Sequence, residues 1–496
     1  MEKIAVLCDM HLSCDKNAPQ YAFLSRASQQ MHLDGIQKII VCGDITAYGD
    51  VNAYRLYREL LQDFEVHEVL GNSDVRDAAT AQQMSALVAP DEFFLEGRRI
   101  MGIQTPYSVI PPSERERMQA LSNGDVLFLH HYTDSLEQES REYLLSVLQS
   151  KAITVLHGHG HRIFDYAVGN SHVYGFRGLD PDKAIGAPPC INYLTVSPDG
   201  IENEEIRFPL AKETFLQAKG YFGISCVDLV EDMTYAAEHG IAYAELRCDH
   251  APWPPEPSLL RAVEAWRSRT HGFLSVHLPN LKYKEGEICG IDKWNSVLEY
   301  ALLLGADHLT LHPPRVSRGK LVNDPALWER FLELFTAVAQ RVSDKVSIGV
   351  ENMHREKCEP YDEGEGFAYI PSEVALWIDA INRKLGRPQR VGHVLDVGHA
   401  RNNGKHAERY PISRWYGIMG GRAVAYHIHQ SVRKDGNNLK NHCPLSNWFG
   451  PMINYTGFFH AWETGVLNHA PIFLEVNGAK NHEESMRGFE MLLQDY

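Results

Sequence analysis

The feature that most constrains this chain is a set of eight short apolar runs in its C-terminal half, several of which end in a side chain able to bind a metal. They are Tyr221–Val227, Ala242–Cys248, Phe273–Pro279, His308–Pro314, Val346–Asn352, Val391–His399, Ala423–Ser431 and Pro471–Asn477. Enough chain separates each from the next for a helix, and strand-length runs alternating with helical stretches predict a parallel sheet of βα units. Eight units in roughly 276 residues match a (β/α)8 barrel, whose active site lies at the C-terminal ends of the strands. His277, His312, Glu351, Asp396, His429 and Glu475 all stand at those ends. A buried cluster of this composition requires metal ions to neutralise it.

A chain of 496 residues exceeds the size at which a single core keeps growing, so a second domain is expected before the barrel. The division expected is 1–209, a linker 210–220, and a barrel 221–496. No run reaches the length of a membrane span, and the first residues enter a strand at once, which predicts a cytoplasmic protein. Nine cysteines without a CxxC pair fit a reducing compartment. The formal charge of −16, with no Lys/Arg block, disfavours a grip on long nucleic acid. A small phosphorylated substrate is compatible with it, because a metal cluster supplies positive charge locally.

In the first domain, strands near residues 4–9, 38–44, 67–72, 125–131 and 153–159 each deliver polar groups to one sheet edge. Asp9 and His11 follow the first, Asp44 the second, Asn72 and Asp74 the third, His130 and His131 the fourth, His159 and His161 the fifth. Asp9 and His11 can hold one cation, Asp44 can bridge two through its two oxygens, and Asn72, His130, His159 and His161 complete a mixed N/O shell. Such a shell suits zinc, iron or manganese. Residues 191–208 predict a terminal hairpin with an Asp199-Gly200 turn. Arg177 is a candidate for phosphate, with loop bracing as the competing role.

Asp9-Met10-His11, Gly43-Asp44, Gly71-Asn72-Ser73-Asp74, His130 and Gly158-His159-Gly160-His161 resemble the successive motifs of the calcineurin-like metallophosphoesterases over about residues 1–205. The resemblance implies an α/β sandwich with two divalent or mixed-valence ions (Mn, Fe or Zn), Asp44 as bridge, and His11 and His161 sharing one ion. Many members carry histidine where this chain has Ser73, and smaller phosphodiesterase-like members resemble it more closely. Leaving-group protonation then falls to metal-bound water, to His131, or to the substrate's own acidity. Asp44, Asn72 and His131 are the catalytic candidates; of the two histidines, His130 is favoured as the ligand because it comes directly off Val126–Leu129, leaving His131 to turn toward substrate.

In the barrel, helices are predicted over Asp228–His239, Pro257–Arg269, Lys293–Leu304, Pro325–Val342, Pro371–Leu385, a stretch near 410–420, Phe458–Leu467 and Glu483–Gln494, with a long active-site loop after His429. The strand ends are similar to those of the superfamily joining xylose isomerase-type isomerases and epimerases to the three-zinc AP endonucleases. The isomerase set implied is Glu351, Asp396, His429 and Glu475. The endonuclease pattern adds His277, His312, His399 and an Asp-x-His, of which His442 is present while Lys440 stands in the Asp position. One to three ions, Zn or Mn, are implied. Lys440 offers a fixed positive charge near phosphate, Glu245 and His250 offer substrate or supporting contacts, and His427 packs one layer deeper.

Three functions follow. The chain is a two-domain phosphoesterase for a small nucleotide or sugar phosphodiester, or a phosphodiesterase joined to a sugar-phosphate isomerase or epimerase, or a metal-dependent nuclease of repair type.

Overall fold

The computed structural model describes residues 2–494 except 90, 198–199, 250, 357–358, 360 and 435–438. The chain forms two compact units, one made of Met1–Leu210 with Asn454–Phe458, the other of Ala211–Ile453 with Phe459–Tyr496. Five residues inside the span expected for the barrel therefore pack with the first unit. The expected linker holds a helix, Lys212–Lys219.

The first unit contains strands β1 (Glu2–Leu7), β2 (Lys38–Cys42), β3 (Glu65–Val69), β4 (Glu92–Leu95), β5 (Arg98–Gly102), β6 (Val126–Leu129), β7 (Thr154–His157), β8 (Phe164–Val168), β9 (Ser171–Gly175), β10 (Cys190–Ser197) and β11 (Gly200–Arg207). One sheet runs β11-β10-β1-β2-β3 and the other β4-β5-β6-β7-β9-β8. Ile4, Val6, Ile40 and Val69 of the first sheet meet Ile100, Phe128 and Leu156 of the second in a common core. Each fully buried side chain of this size contributes about 1.5–3 kcal/mol. The other face of the second sheet buries Leu127, Leu129 and Val155 against Leu144 and Leu148 of the helix Gln138–Ser150. Helices start where the sequence places their caps: Pro19 opens Pro19–Leu33, and the Asp50 carboxylate accepts from Asn52 N–H and Ala53 N–H at the head of Val51–Leu60.

In the second unit β12 (Phe222–Cys226), β13 (Tyr243–Arg247), β14 (Phe273–His277), a hairpin of β15 (Lys282–Lys284) and β16 (Glu287–Cys289), β17 (His308–Leu311), β18 (Ser347–Glu351), β19 (Gly392–Asp396), β20 (Ala423–Ile428), a second hairpin of β21 (Gln430–Arg433) and β22 (Leu439–Cys443), and β23 (Ile472–Leu474) follow in order. β12-β13-β14-β17-β18-β19-β20-β23 close into a parallel barrel, β23 pairing with both β20 and β12. The fold is the (β/α)8 architecture expected from the eight runs, and its helices fall close to the expected spans. The seventh unit departs from expectation. The stretch read as one long loop after His429 contains the β21-β22 hairpin, whose pairing satisfies backbone groups that a loop would leave to water.

Strand alternation sorts the barrel interior into layers. Val394, Ala425 and Phe473 pack with Tyr243 and Phe273 as an apolar floor. Glu245, Ser275, Thr310 and His427 come next, all buried, and His277, Glu351, Asp396, His429 and Glu475 lie at the strand ends. Among the described residues no helix is long and apolar enough to cross a membrane.

Candidate metal centres

The first centre is carried by loops leaving β1, β2, β3, β6 and β7. Asp44 is buried and divides its carboxylate between two groups of side chains. Its Oδ2 lies 3.1 Å from His11 Nε2, and its Oδ1 lies 3.4 Å from His130 Nε2 and accepts from Ser73 N–H at 2.7 Å. On one side Asp9, His11, Asp44 and His161 present ligand atoms to a common point, and on the other His130, His131 and His159 do so. Asn72 Oδ1 completes the second group, 3.0 Å from His130 Nε2 and 2.8 Å from His159 Nδ1.

The backbone pays a conformational cost for this convergence. Asp9, His11, Asp44, His159 and His161 all have left-handed φ, between 46° and 65°. Each such residue costs on the order of 1–3 kcal/mol and persists only where the surroundings over-determine it. Asp9 accepts from His159 N–H at 3.0 Å, joining the β1 and β7 loops. Asp74 accepts from Ile45 N–H, Thr46 N–H, Thr46 Oγ1–H and Gly71 N–H, which locks the β2 loop to the β3 loop. Gly71 is required because a Cβ there would run into the Asp44 carboxylate.

Burial opposes the charge of Asp44, yet His130 and His11 outweigh it and hold its carboxyl well below the usual range. Burial, reinforced by Asp44, pushes Asp9 up. Two carboxylates and several imidazoles buried together lack positive charge, and a set of O and N donors with that deficit fits divalent zinc, iron or manganese.

His131 sits differently from its expected proton-donating role. Its Nδ1 is 2.9 Å from Thr105 Oγ1, and burial first, then His130 and His159, bring its pKa down to about 2. A neutral imidazole keeps one N–H donor but lacks the acidic imidazolium proton at pH 7, so these surroundings run against the general-acid assignment. Arg177 also departs from its phosphate role: it pairs with Glu205 at 3.3 Å and donates to the Ile185 carbonyl, which makes it a loop brace. Sequence reading missed Asp180, a buried acid in the loop after β9 whose Oδ2 lies 3.4 Å from His11 Nδ1. Its only signal was an acidic Leu179-Asp180-Pro181-Asp182 turn next to the sandwich.

The second centre repeats the divided carboxylate on a different scaffold. Glu351 Oε2 lies 3.0 Å from both His277 Nε2 and His312 Nε2, while Oε1 lies 3.1 Å from His399 Nδ1. Asp396 joins the other side, 3.3 Å from His399 Nδ1 and 3.4 Å from His429 Nε2. His442 Nδ1 is 3.7 Å from Glu475 Oε2, and its ring stacks on His429 at 4.6 Å. His277, His312 and Glu351 form one potential ligand group and His399, His429 and His442 another. Asp396 Oδ2 and Glu475 Oε2 are buried without a hydrogen-bond partner among the described residues, which again fits cations at this position. Asn352 braces the floor of the site, accepting from Asp396 N–H at 2.9 Å and donating to its carbonyl at 3.0 Å.

Two of the expected substrate contacts lie elsewhere. Glu245 is fully buried below the strand ends, where it accepts from Ser275 and Thr310 hydroxyls at 2.8 and 2.6 Å and pairs with His427 Nε2 at 2.9 Å. Strand alternation puts it in the deeper layer, where Glu245, His277 and His427 present ligand atoms within 4.8 Å of one another, so its contact is the supporting one. Its partner His427 is more than packing, since Nδ1 also faces Glu351 at 3.4 Å and Glu475 at 3.5 Å. Lys440 is exposed on β22, whereas His442, with left-handed backbone (φ 55°), lies 3.7 Å from Glu475 Oε2. His250 lies outside the described residues. Sequence reading missed Arg247, the last residue of β13, whose guanidinium pairs with Glu475 and lines an open cleft of about 510 Å³ together with His442, Asp228, Asp249 and Tyr300. Its position at a strand end is the available signal.

Comparison with known proteins matches both parts of the chain to families. The model of the xylose isomerase-like TIM barrel matches residues 233–494, and that of the calcineurin-like phosphoesterase superfamily domain matches residues 2–174. The chain thus belongs to the xylose isomerase-like TIM-barrel family, with a calcineurin-like phosphoesterase domain at its N-terminal side, and has the architecture of a metal-dependent enzyme. Among solved structures it is similar to a D-tagatose 3-epimerase-like protein, 17% identical, covering 55% of this chain and 98% of that one with a TM-score of 0.40. It is also similar to a xylose isomerase domain protein from Alicyclobacillus acidocaldarius, 16% identical over 55% and 97% of the two chains with a TM-score of 0.39. A dimetal phosphatase from Danio rerio is 13% identical, covering 41% of this chain and 95% of its own with a TM-score of 0.34. No curated protein matches the chain.

Proposed function

We propose that the chain is a cytoplasmic metal-dependent phosphoesterase for a small nucleotide or sugar phosphodiester, with a dinuclear centre in the first unit and a multinuclear centre in the barrel. The observation that carries the reading is the divided carboxylate, Asp44 in one unit and Glu351 in the other, each facing imidazoles on both of its oxygens. Asp9, His11, Asp44 and His161 would hold one ion of the first pair, and Asp44, Asn72, His130 and His159 the other, as Mn, Fe or Zn. In the barrel His277, His312 and Glu351, with Asp396, His399, His429, His442 and Glu475, would hold Zn or Mn. Bound ions would supply Lewis-acid polarisation of a phosphoryl group and offset the charge developing on it. Asp44 would contribute one oxygen to each ion, Ser73 N–H fixes the orientation of Asp44, and Asn72 Oδ1 contacts both His130 and His159. His131 takes up a position beside that group as a neutral imidazole, so protonation of the leaving group rests with water or with an acidic substrate.

A second reading, a sugar-phosphate isomerase or epimerase in the barrel, draws on the exposed Lys440: a third ion lacks the carboxylate that an Asp-x-His pair would bring, and the remaining ligands suffice for one or two. The net charge of −16 argues against duplex DNA as the substrate. The test compares the full chain on nucleotide and sugar phosphodiesters, on a sugar phosphate, and on an abasic-site duplex at matched salt, with D44N and E351Q variants assigning each activity. Hydrolysis of small diesters lost in D44N supports the reading. Efficient nicking of the duplex lost in E351Q replaces it with a repair nuclease, and a sugar product of unchanged mass replaces the barrel assignment with an isomerase.

A further inference from the structure

The loop from Leu179 to Ala187 touches both His11 and His161. Asp180 Oδ2 faces His11 Nδ1 at 3.4 Å as a charge contact without a hydrogen bond, and Ile185 N–H donates to the His161 carbonyl at 2.7 Å. Gln20 ties the loop to its own unit, donating Nε2–H to Asp180 Oδ1 and Asp182 Oδ2, both at 3.0 Å. The other fastening comes from a stretch remote in sequence but part of the same unit. Asn454, fully buried, donates Nδ2–H to the carbonyls of Ala184 at 2.6 Å and Ala187 at 3.0 Å, and its N–H to the Asp182 carbonyl at 2.9 Å. Gly457 N–H donates to the Pro181 carbonyl at 3.1 Å, and a Cβ on Gly457 would collide with Asp182 Oδ1.

We infer that Asn454 and Gly457 are positioning residues for the first centre. They clamp the Asp180–Ile185 loop, and that loop places the Asp180 carboxylate beside the His11 ring and fixes the His161 backbone; the inference rests on reading these two histidines as ligands. An imidazole ligand takes its orientation from the partner of its second nitrogen, and losing such partners costs about 10–100-fold in metal affinity. Both histidines also hold left-handed φ, a conformation that needs outside support. Asn454 satisfies two carbonyls that water does not reach, so a residue of equal size without the donor should release the loop.

The test uses the full chain with N454D, which keeps the size and the acceptor that binds Thr456 N–H but cannot donate to the two carbonyls, and with G457A as the independent variant. In metal-free protein, amide exchange at Ile185 should accelerate by about 10-fold or more in both, the loss of one hydrogen bond in energy terms. In zinc-titrated crystals, anomalous scattering should show the first centre of both variants filling only at zinc levels about 10-fold or more above those that saturate the parent, with barrel occupancy unchanged. Unchanged exchange at Ile185 in both variants overturns the inference. A lower melting temperature with undiminished first-centre affinity overturns it as well, because that is the signature of a merely structural role. A parent protein that takes zinc only in the barrel sinks the phosphoesterase reading, and the exchange measurement then still decides whether Asn454 and Gly457 hold the loop.

Discussion

The two centres divide a buried carboxylate in the same way and build the scaffold around it by opposite means. Asp44 and its partners in the first unit ride on loops, and five of those residues adopt left-handed backbone to reach the site. In the barrel, His277, Glu351 and Asp396 are the terminal residues of regular strands, and among the candidate ligands there only His442 has positive φ. A strand end fixes a side chain through the whole sheet ladder. A loop must be pinned by individual hydrogen bonds, and Asp74, Asp180, Asn454 and the Asp9 to His159 contact perform that pinning. Supporting residues should therefore matter more in the first unit than in the barrel, even where the ligands themselves matter equally.

The largest expected effects test the shared part of the design. D44N and E351Q should each remove bound metal from their own unit and leave the other loaded, with activity losses beyond the ~10–100-fold typical of supporting residues. Site-resolved anomalous scattering checks this, and loss of metal from both units in either variant would break the independence of the two centres. The asymmetry is sharpened by the next pair. D180N should weaken metal binding in the first unit by about 10–100-fold. N352A, which removes a brace from a strand-borne ligand, should cost the barrel distinctly less by isothermal titration, and equal losses would remove the distinction between loop and strand scaffolds.

Most of this was legible in the sequence because both folds place chemistry at strand ends. Apolar runs locate the strands, and polar residues directly after them locate the site, so Asp9, Asp44, His130, His277, Glu351 and Asp396 could be found without coordinates. What escaped follows from what a run of residues does not encode. Glu245 lies within the same kind of strand that His277 ends, and only the register of β13 against β14, with Glu245 opposite Ser275, reveals that it lies one layer deeper. Lys440 and His442 have the same parity on β22, and the left-handed φ of His442 separates them. Asp180 and Asn454 act through contacts 169 residues or more from the residues they support, a range at which composition and periodicity carry no signal.

His131 offers a smaller test of how the first centre handles protons. With its imidazole held neutral, H131Q should depress turnover by a similar factor for good and poor leaving groups, because no proton is withdrawn from the poor one alone. A series of aryl phosphodiesters measures this, and a loss that steepens with leaving-group pKa would restore His131 as the acid.

The remaining effect concerns stability rather than binding or turnover, and it sets a buried barrel histidine against its solvent-exposed counterpart in the unfolded chain. His308, the first residue of β17, is fully buried, and both ring nitrogens lack a hydrogen-bond partner among the described residues. Burial lowers its pKa from 6.5 to about 4, with Glu245 opposing the shift. Between those values the unfolded chain binds a proton that the folded chain refuses, so the unfolded state holds more protons and stability falls as pH drops through 6.5 toward 4. Above pH 6.5 both states are neutral at this residue and the term vanishes. Across the whole window it amounts to roughly 3 kcal/mol, since one pKa unit corresponds to about 1.4 kcal/mol. H308Q removes the titration and should flatten that part of the slope, measured as denaturant midpoints of metal-free protein at pH 7 and pH 5. The barrel's regular strands leave no loop rearrangement by which a charged His308 could reach water, so an unchanged slope in H308Q would mean that the strand scaffold yields more readily than its closed ladder implies.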